Sequence, residues 1–303
     1  MTNDDLTRLM DTSDAWIRDH TGIRERRYAE EDTDTSDLGV IATAAALEDA
    51  GVDPQDVDIL ICATSTPDRL VPSTASYIAN KMELRATAFD IGAACTGFIY
   101  GLAVAEGLMH TQGHETIVVC AADKFSRVID PADRANSILF GDAAGAAVLT
   151  PERPAVGLEI VDLHLSCTNR GADLVRIPIG GHFEMQGRAV KPIALPDLVN
   201  TVTTTLERNR LTMSDLRGFV CHQANLRLIE TLADELGVGE HQHWHDVEMF
   251  GNRGAASVVT AFCSGLDHNA GDFVDGDLFL LTAFGAGFTN GSALLRWVGP
   301  GGA

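Results

Sequence analysis

Apolar runs of strand length alternate along this chain with longer segments of helical pattern. The runs "VDILICATS" (57–65), "ETIVVCAAD" (115–123), "AAGAAVLT" (143–150), "RGFVCHQAN" (217–225) and "DLFLLTAFGAG" (277–287) predict strands. "LGVIATAAALEDAG" (38–51) and "LVNTVTTTLERN" (198–209) predict helices. The class that follows is α/β.

The pattern repeats. Displaced by 159 positions, "LEDAGVDPQDVDILIC" (47–62) lies over "LERNRLTMSDLRGFVC" (206–221), matching Leu47 with Leu206, Glu48 with Glu207, Asp56 with Asp215 and Cys62 with Cys221. With a drift of two residues "IVVCAAD" falls over "LFLLTAF", and the small residues around Cys95 fall near "FGNRGAASVV" (250–259). Each half reads helix, strand, small-residue turn, helix, strand. Duplication therefore predicts an amino-terminal half, 1–155, and a carboxy-terminal half, 156–303, in pseudo-twofold relation. An active site is expected where corresponding turns meet.

Composition narrows the function classes. The 303 residues are 45% hydrophobic and 21% charged, enough for a large core. No run reaches the roughly 18 uninterrupted apolar residues of a membrane helix, and the start, "MTNDDLTRLMDTSD", lacks the pattern of a signal peptide. A cytoplasmic protein with no membrane partner is expected. Six cysteines without a CxxC pair predict free, mostly buried thiols in a reducing compartment, with Cys62, Cys120, Cys221 and Cys263 in the core. A net charge of −21 argues against nucleic acid. The local cluster "WIRDHTGIRERRY" is either a patch for an anionic ligand or a solvated, salt-bridged face.

The stretch "AFDIGAACTGFIYGL" (88–102) carries the sharpest chemical signal. If "GAAC" closes a strand, Cys95 stands at the first turn of a helix, where unpaired N–H groups and the helix dipole favour a thiolate. The second half offers His222 at a strand end and Asn252 in a turn that opens a helix. Singly, a core histidine and a turn asparagine are ordinary readings; together, at corresponding points of two repeats, the three suggest a site. "HQHWHD" spaces His241, His243 and His245 along one side of a strand, but without a second ligand cluster a loop leading to Asn252 is the expectation, and no metal. The glycines of "FGDAAG" and "FGAG" fit tight turns and lack the context of a dinucleotide site.

The segments "AFDIGAACTGF", "HQANLR", "FGNRGAAS" and "FGAGFTNGSALLRW", with "DTSDAWIRDHTGIRERRY" and "LFGDAAGAAVL", resemble the β-ketoacyl-acyl-carrier-protein synthase III family of the thiolase superfamily, in order and over nearly the whole chain. The resemblance implies a five-layer αβαβα fold, a homodimer, and decarboxylative condensation of an acyl-CoA primer with malonyl carrier protein, without metal or redox cofactor. It makes Cys95 the nucleophile, His222 and Asn252 the pair that binds the malonyl thioester carbonyl, and the backbone N–H groups of Cys95 and Ala286 the oxyanion site. For CoA it implies Trp16 against the adenine with Arg134 on its other side, Thr12 nearby, and Asn225 on the pantetheine. For the carrier protein it implies the segment Gln223, Ala224, Asn225, Leu226 and Arg227.

The chain also departs from that pattern. His20 stands where an arginine is common, Arg188 and Lys191 where asparagine and phenylalanine are common, and Asn290 where tryptophan is frequent; "GNRG" replaces "GNTS". Asp234 and Glu235 occupy positions that are often lysines, which predicts poor docking of an acidic carrier protein and points to a specialised carrier or to malonyl-CoA. Family members begin with a strand absent before "MTNDDLT", which the resemblance implies to be central in its sheet, so a start placed too far downstream or a truncated chain is the expectation. Two other functions follow less directly: transfer of an acyl group to an alcohol or amine in secondary metabolism, and a catalytically silent dimer partner.

Overall fold

The computed structural model describes residues 1–299. Its strands are β1 (Ile59–Ala63), β2 (Thr87–Ile91), β3 (Ile117–Lys124), β4 (Asp142–Leu149), β5 (Gly157–Cys167), β6 (Val175–Arg176), β7 (Glu184–Met185), β8 (Leu216–Cys221), β9 (Leu278–Gly285) and β10 (Thr289–Val298). Its helices are α1 (Asn3–Leu6), α2 (Asp14–Thr21), α3 (Thr35–Ala50), α4 (Thr74–Lys81), α5 (Gly97–Gln112), α6 (Arg134–Ser137), α7 (Gly187–Asn209), α8 (Leu226–Leu236), α9 (Val247–Phe250) and α10 (Ala256–His268).

Two four-stranded sheets dominate, one ordered β2-β1-β3-β4 and the other β5-β10-β9-β8. In the first, β1 runs parallel to β2 and β3, and β4 returns antiparallel to β3. In the second, β8 runs parallel to β9, and β10 returns antiparallel to it. The spacing of the repeat recurs in the elements. The 3-10 turns Pro54–Asp56 and Met213–Asp215 lie 159 positions apart, as do the first residues of α5 and α10, and β3 and β9 lie 161 apart.

Alternate residues of the buried strands feed separate cores, which fixes the layering. Leu60, Cys62, Val118 and Cys120 pack outward against Leu47, Ala75 and Ile78 of α3 and α4. Ile61, Val119, Leu281 and Ala293 face inward against Phe98, Leu102, Val258 and Phe262 of α5 and α10. Leu216, Phe219, Leu280 and Leu294 face the opposite side, under Leu198, Val202 and Leu232 of α7 and α8. Helix, sheet, helix, sheet, helix is the five-layer αβαβα arrangement of the thiolase fold.

Two expectations are corrected. The resemblance implies a strand missing from the middle of a sheet, but β1 and β3 each have two neighbours and the unpaired edges are β2 and β4, so the ladder is uninterrupted. Cys263 lies exposed on α10 rather than in the core, as does Cys167 at the end of β5. As expected, the histidines lie in a loop rather than a strand: His241 is within the 3-10 turn Glu240–Gln242, and His243, which makes one isolated bridge to Phe219, and His245 follow it. Among the described residues, no group of three or more His, Cys, Asp or Glu is arranged to hold a metal ion, and no helix is long and apolar enough to cross a membrane.

The two central helices meet through Gly97. A Cβ there would stand 2.8 Å from Ala63 Cβ and 3.3 Å from Ala255 Cβ, so only a glycine lets α5 reach both β1 and the start of α10. Gly97→Val is therefore expected to cost about 1–3 kcal/mol, read as a lowered Tm. Gly107→Val, on the same helix but with no atom within 4 Å of a new Cβ, is expected to leave Tm within a degree or so of wild type.

Candidate active site

The end of β2 delivers Cys95. After Gly92 and Ala93 the chain makes a 3-10 turn, Ala94–Thr96, in which Ala94 takes a φ of 48°, a left-handed conformation that a Cβ disfavours. Hydroxyls hold the turn: Thr96 Oγ1 donates to Ala93 O at 2.6 Å, and Thr289 Oγ1 to the same oxygen at 3.3 Å. Cys95 is half-buried just before α5. Burial, reinforced by the nearby charge of Asp123, pushes its thiol up to about 12. Desolvation and the carboxylate thus oppose the thiolate that the helix end would favour.

His222 follows β8, its backbone N–H donating to Thr282 O of β9 at 2.8 Å. The imidazole is 3% exposed, lies edge-to-face with Phe284 at 5.4 Å, and has no partner for Nδ1. Burial first, and the charge of Arg253 second, lowers its pKa to about 3, so the ring is neutral. Asn252 is stitched to the "LFG" stretch: its N–H donates to Leu139 O at 2.7 Å, and its carbonyl accepts from Gly141 N at 2.9 Å. Its Oδ1 accepts from Gly254 N at 3.0 Å, which fixes the carboxamide with its NH2 group as the donor end.

These turns converge. Gly285, the last residue of β9, abuts the cysteine turn: a Cβ on it would stand 3.0 Å from Cys95 N and 2.9 Å from Ala93 O. Ala286 follows it in the next 3-10 turn. His222 follows β8, which pairs with β9, and Asn252 precedes α10, whose neighbour Ala255 lies against Gly97.

One residue unremarked in the sequence ties the halves together. Asp123, at the end of β3, is fully buried. Its Oδ1 accepts from Ser65 N at 2.7 Å, Thr66 Oγ1 at 3.1 Å and Thr64 Oγ1 at 3.2 Å, all beyond β1. Its Oδ2 accepts from Ala255 N at 2.8 Å, at the start of α10. Burial raises its pKa to about 6 although those donors oppose the rise. A polar residue ending an apolar strand was the available sequence signal.

The residues expected for CoA and the carrier protein are partly committed to other contacts. The Arg134 guanidinium rests on the Trp16 ring, 4.7 Å from its centroid, and donates to Asp11 O at 3.0 Å. His20 stacks on Trp16 at 4.2 Å. An adenine would have to displace one of these side chains, so the slot expected between Trp16 and Arg134 is closed. Thr12 is half-buried, its hydroxyl without a partner. Asn225 caps α8, accepting from Leu228 N at 3.0 Å. Gln223 and Ala224 are buried, with Gln223 Nε2 on Cys221 O at 2.7 Å, which corrects their assignment to a docking surface. Leu226 is half-buried against Gly22. Arg227 donates to Asp19 O and Arg18 O and pairs with Glu230 at 3.1 Å. A cleft of about 360 Å³ beside α6 has acidic walls, Asp133, Asp173 and Glu184, with Arg176 bound to Glu184 at 2.7 Å.

Comparison with known proteins decides what this geometry belongs to. Residues 89–169 match the family described as 3-oxoacyl-[acyl-carrier-protein (ACP)] synthase III, and residues 206–297 match its C-terminal part. The chain belongs to that family. It is 40% identical to a β-ketoacyl-[acyl-carrier-protein] synthase III 3 of Streptomyces coelicolor, covering 98% of this chain and 93% of that one. Its fold matches the 3-oxoacyl-[acyl-carrier-protein] synthase III of Aquifex aeolicus with a TM-score of 0.92 at 34% identity, over 98% and 95% of the chains. The priming β-ketosynthase of the R1128 polyketide pathway gives 0.88 at 35% identity, over 98% and 91%. This synthase III-type chain is thus an acyl-transferring condensing enzyme.

Two outcomes test the electrostatics. Asp123→Asn is expected to cost about 1–3 kcal/mol and to speed alkylation of Cys95 by iodoacetamide at pH 8, followed at that peptide by mass spectrometry; an unchanged or slower rate would show that the carboxylate does not hold the thiol protonated. For His222 the folded pKa of about 3 lies below the ordinary 6.5. The unfolded chain therefore binds the proton more tightly, and stability is lost as pH falls below that ordinary value. Relative to His222→Gln, wild type is expected to lose about 1.4 kcal/mol per pH unit between pH 6 and 4 in denaturant titrations.

Proposed function

We propose that Cys95, His222 and Asn252 carry out a two-step decarboxylative condensation. What supports it most is the meeting of a cysteine turn from one repeat with two neutral hydrogen-bond donors from the other. In the first step the Cys95 sulfur attacks an acyl-CoA, the acyl C–S bond to CoA breaks, and the proton of the thiol ends on the CoA sulfur. Because the thiol is protonated at rest, that proton must leave as the new bond forms, and the neutral imidazole of His222 is the group to relay it. The N–H groups of Cys95 and Ala286 face the tetrahedral oxyanion.

In the second step a malonyl thioester loses CO2, and the electrons of the broken C–C bond pass into an enolate. His222 and the Asn252 NH2 donate to its oxygen. The enolate carbon attacks the acyl-Cys95 thioester, releases the 3-oxoacyl thioester, and the departing sulfur takes up one proton. Neutral donors suit this chemistry, since an imidazolium would hand its proton to the enolate before condensation.

The second substrate in this reading is malonyl-CoA or a malonyl carrier protein with a basic face, because Glu230, Asp234 and Glu235 lie exposed along α8 and Arg227 is engaged. The reading includes a homodimer. β2 is an open sheet edge, and its Asp90 accepts from Thr74 N and Ala75 N at the start of α4, beneath a loop with Leu70 and Val71 76% and 84% exposed. Simple acyl transfer to an alcohol or amine has no use for the second donor that Asn252 supplies.

Intact-protein mass spectrometry after incubation with a panel of acyl-CoAs is expected to show one acyl adduct, lost in Cys95→Ala. Asn252→Ala is expected to keep the adduct and lower CO2 release from malonyl thioester about 100-fold. An adduct without CO2 release from any malonyl thioester would favour the acyl-transfer alternative, and no adduct at all the silent partner.

A further inference from the structure

The turns that carry His222 and Asn252 lie on different elements of the carboxy-terminal half, one after β8 and one before α10, and each is followed by a buried polar residue the condensation chemistry does not use. Gln223, after His222, is fully buried and fixed at both ends: Nε2 donates to Cys221 O at 2.7 Å, and Oε1 accepts from Asp246 N at 3.1 Å. Arg253, after Asn252, is 3% exposed. Its guanidinium forks onto the Asp246 carboxylate, Nη1 to Oδ2 at 2.9 Å and Nη2 to Oδ1, while its backbone N–H donates to Ser257 Oγ at 2.9 Å. The flat face of the guanidinium lies 5.3 Å from the centre of the Phe250 ring.

A continuous strap therefore runs from one turn to the other: His222, Gln223, Asp246, Arg253, Asn252. A bidentate arginine–carboxylate pair fixes direction as well as distance, and removing one partner strands the other as a buried charge. We propose that Arg253 and Asp246 are positioning residues that set the two donors at the spacing the enolate oxygen requires, and so act chiefly on the decarboxylation step. Cys95 hangs from the other repeat, outside the strap, and loading uses only the His222 end of it as a proton relay, so acyl loading depends on the strap much less. Arg253 also presses its charge on an imidazole that has no acidic partner. This rests on the proposed condensation and deepens it by naming what aligns its second step.

The test compares Arg253→Lys, which keeps the charge and loses the fork, with the double variant Asp246→Leu/Arg253→Met, which removes the pair without leaving a buried charge and so keeps the fold. Two quantities are read in each: the rate of acyl-enzyme formation from acyl-CoA and the rate of CO2 release from malonyl-CoA. Loading within about threefold of wild type, with CO2 release lowered about ten- to hundredfold in both variants, is expected. An equal fall in both rates, or unchanged CO2 release, would overturn the proposal. A measurement independent of catalysis accompanies it. Amide hydrogen exchange is expected to rise at least tenfold in residues 222–225 and 250–254 together, with β8 and the middle of α10 unchanged; no rise, or a rise in one turn only, would overturn the strap. Wild type that releases no CO2 would instead remove the condensation reading, leaving the exchange result to judge the strap.

Discussion

Four hydrogen bonds to one carboxylate hold the geometry on which the rest depends. Asp123 is fully buried and accepts from the chain beyond β1 through one oxygen and from the start of α10 through the other. A buried carboxylate is tolerated only where donors surround it, and these donors come from both repeats. The position of the Asn252 turn relative to the Cys95 turn is thereby fixed by a polar contact that cannot slide, unlike the apolar contacts between the central helices. Gly254 makes this approach possible, since a Cβ there would lie 2.2 Å from Asp123 Oδ2.

Burial, reinforced by the same carboxylate, raises the thiol pKa of the proposed nucleophile. Burial, reinforced by the Arg253 guanidinium, lowers the imidazole pKa of His222. The resting site thus holds no ionised catalytic group, and charge arises only with substrate in place. A condensing enzyme gains from this, because its enolate would be quenched by a nearby acid.

Much of the fold was legible because β1, β3 and β9 are nearly unbroken apolar runs, and because the repeat preserves both turns and strand starts. β5 and β10 escaped, their polar and small residues hiding strands that lie at or next to a sheet edge. α7 begins at Gly187, well before the expected 198, because Pro192 and Pro196 break the local pattern while Val190 and Ala194 bury against Phe288 and hold the helix together. Within the site, Cys95, His222 and Asn252 could be singled out by residue type and by their places in the repeat. Their protonation states could not, since these follow from burial and from Asp123 and Arg253, neighbours that only folding supplies. Nor could the fork between Asp246 and Arg253, seven residues apart across a turn, be told from two solvated charges.

The high affinity of the Cys95 sulfur for its proton has a consequence for survival. Peroxides attack thiolates far faster than thiols, so this sulfur is a poor target while the site is idle. Cys167, which lies exposed at the end of β5, would meet such reagents first. The proposed nucleophile therefore keeps its less oxidisable form between turnovers.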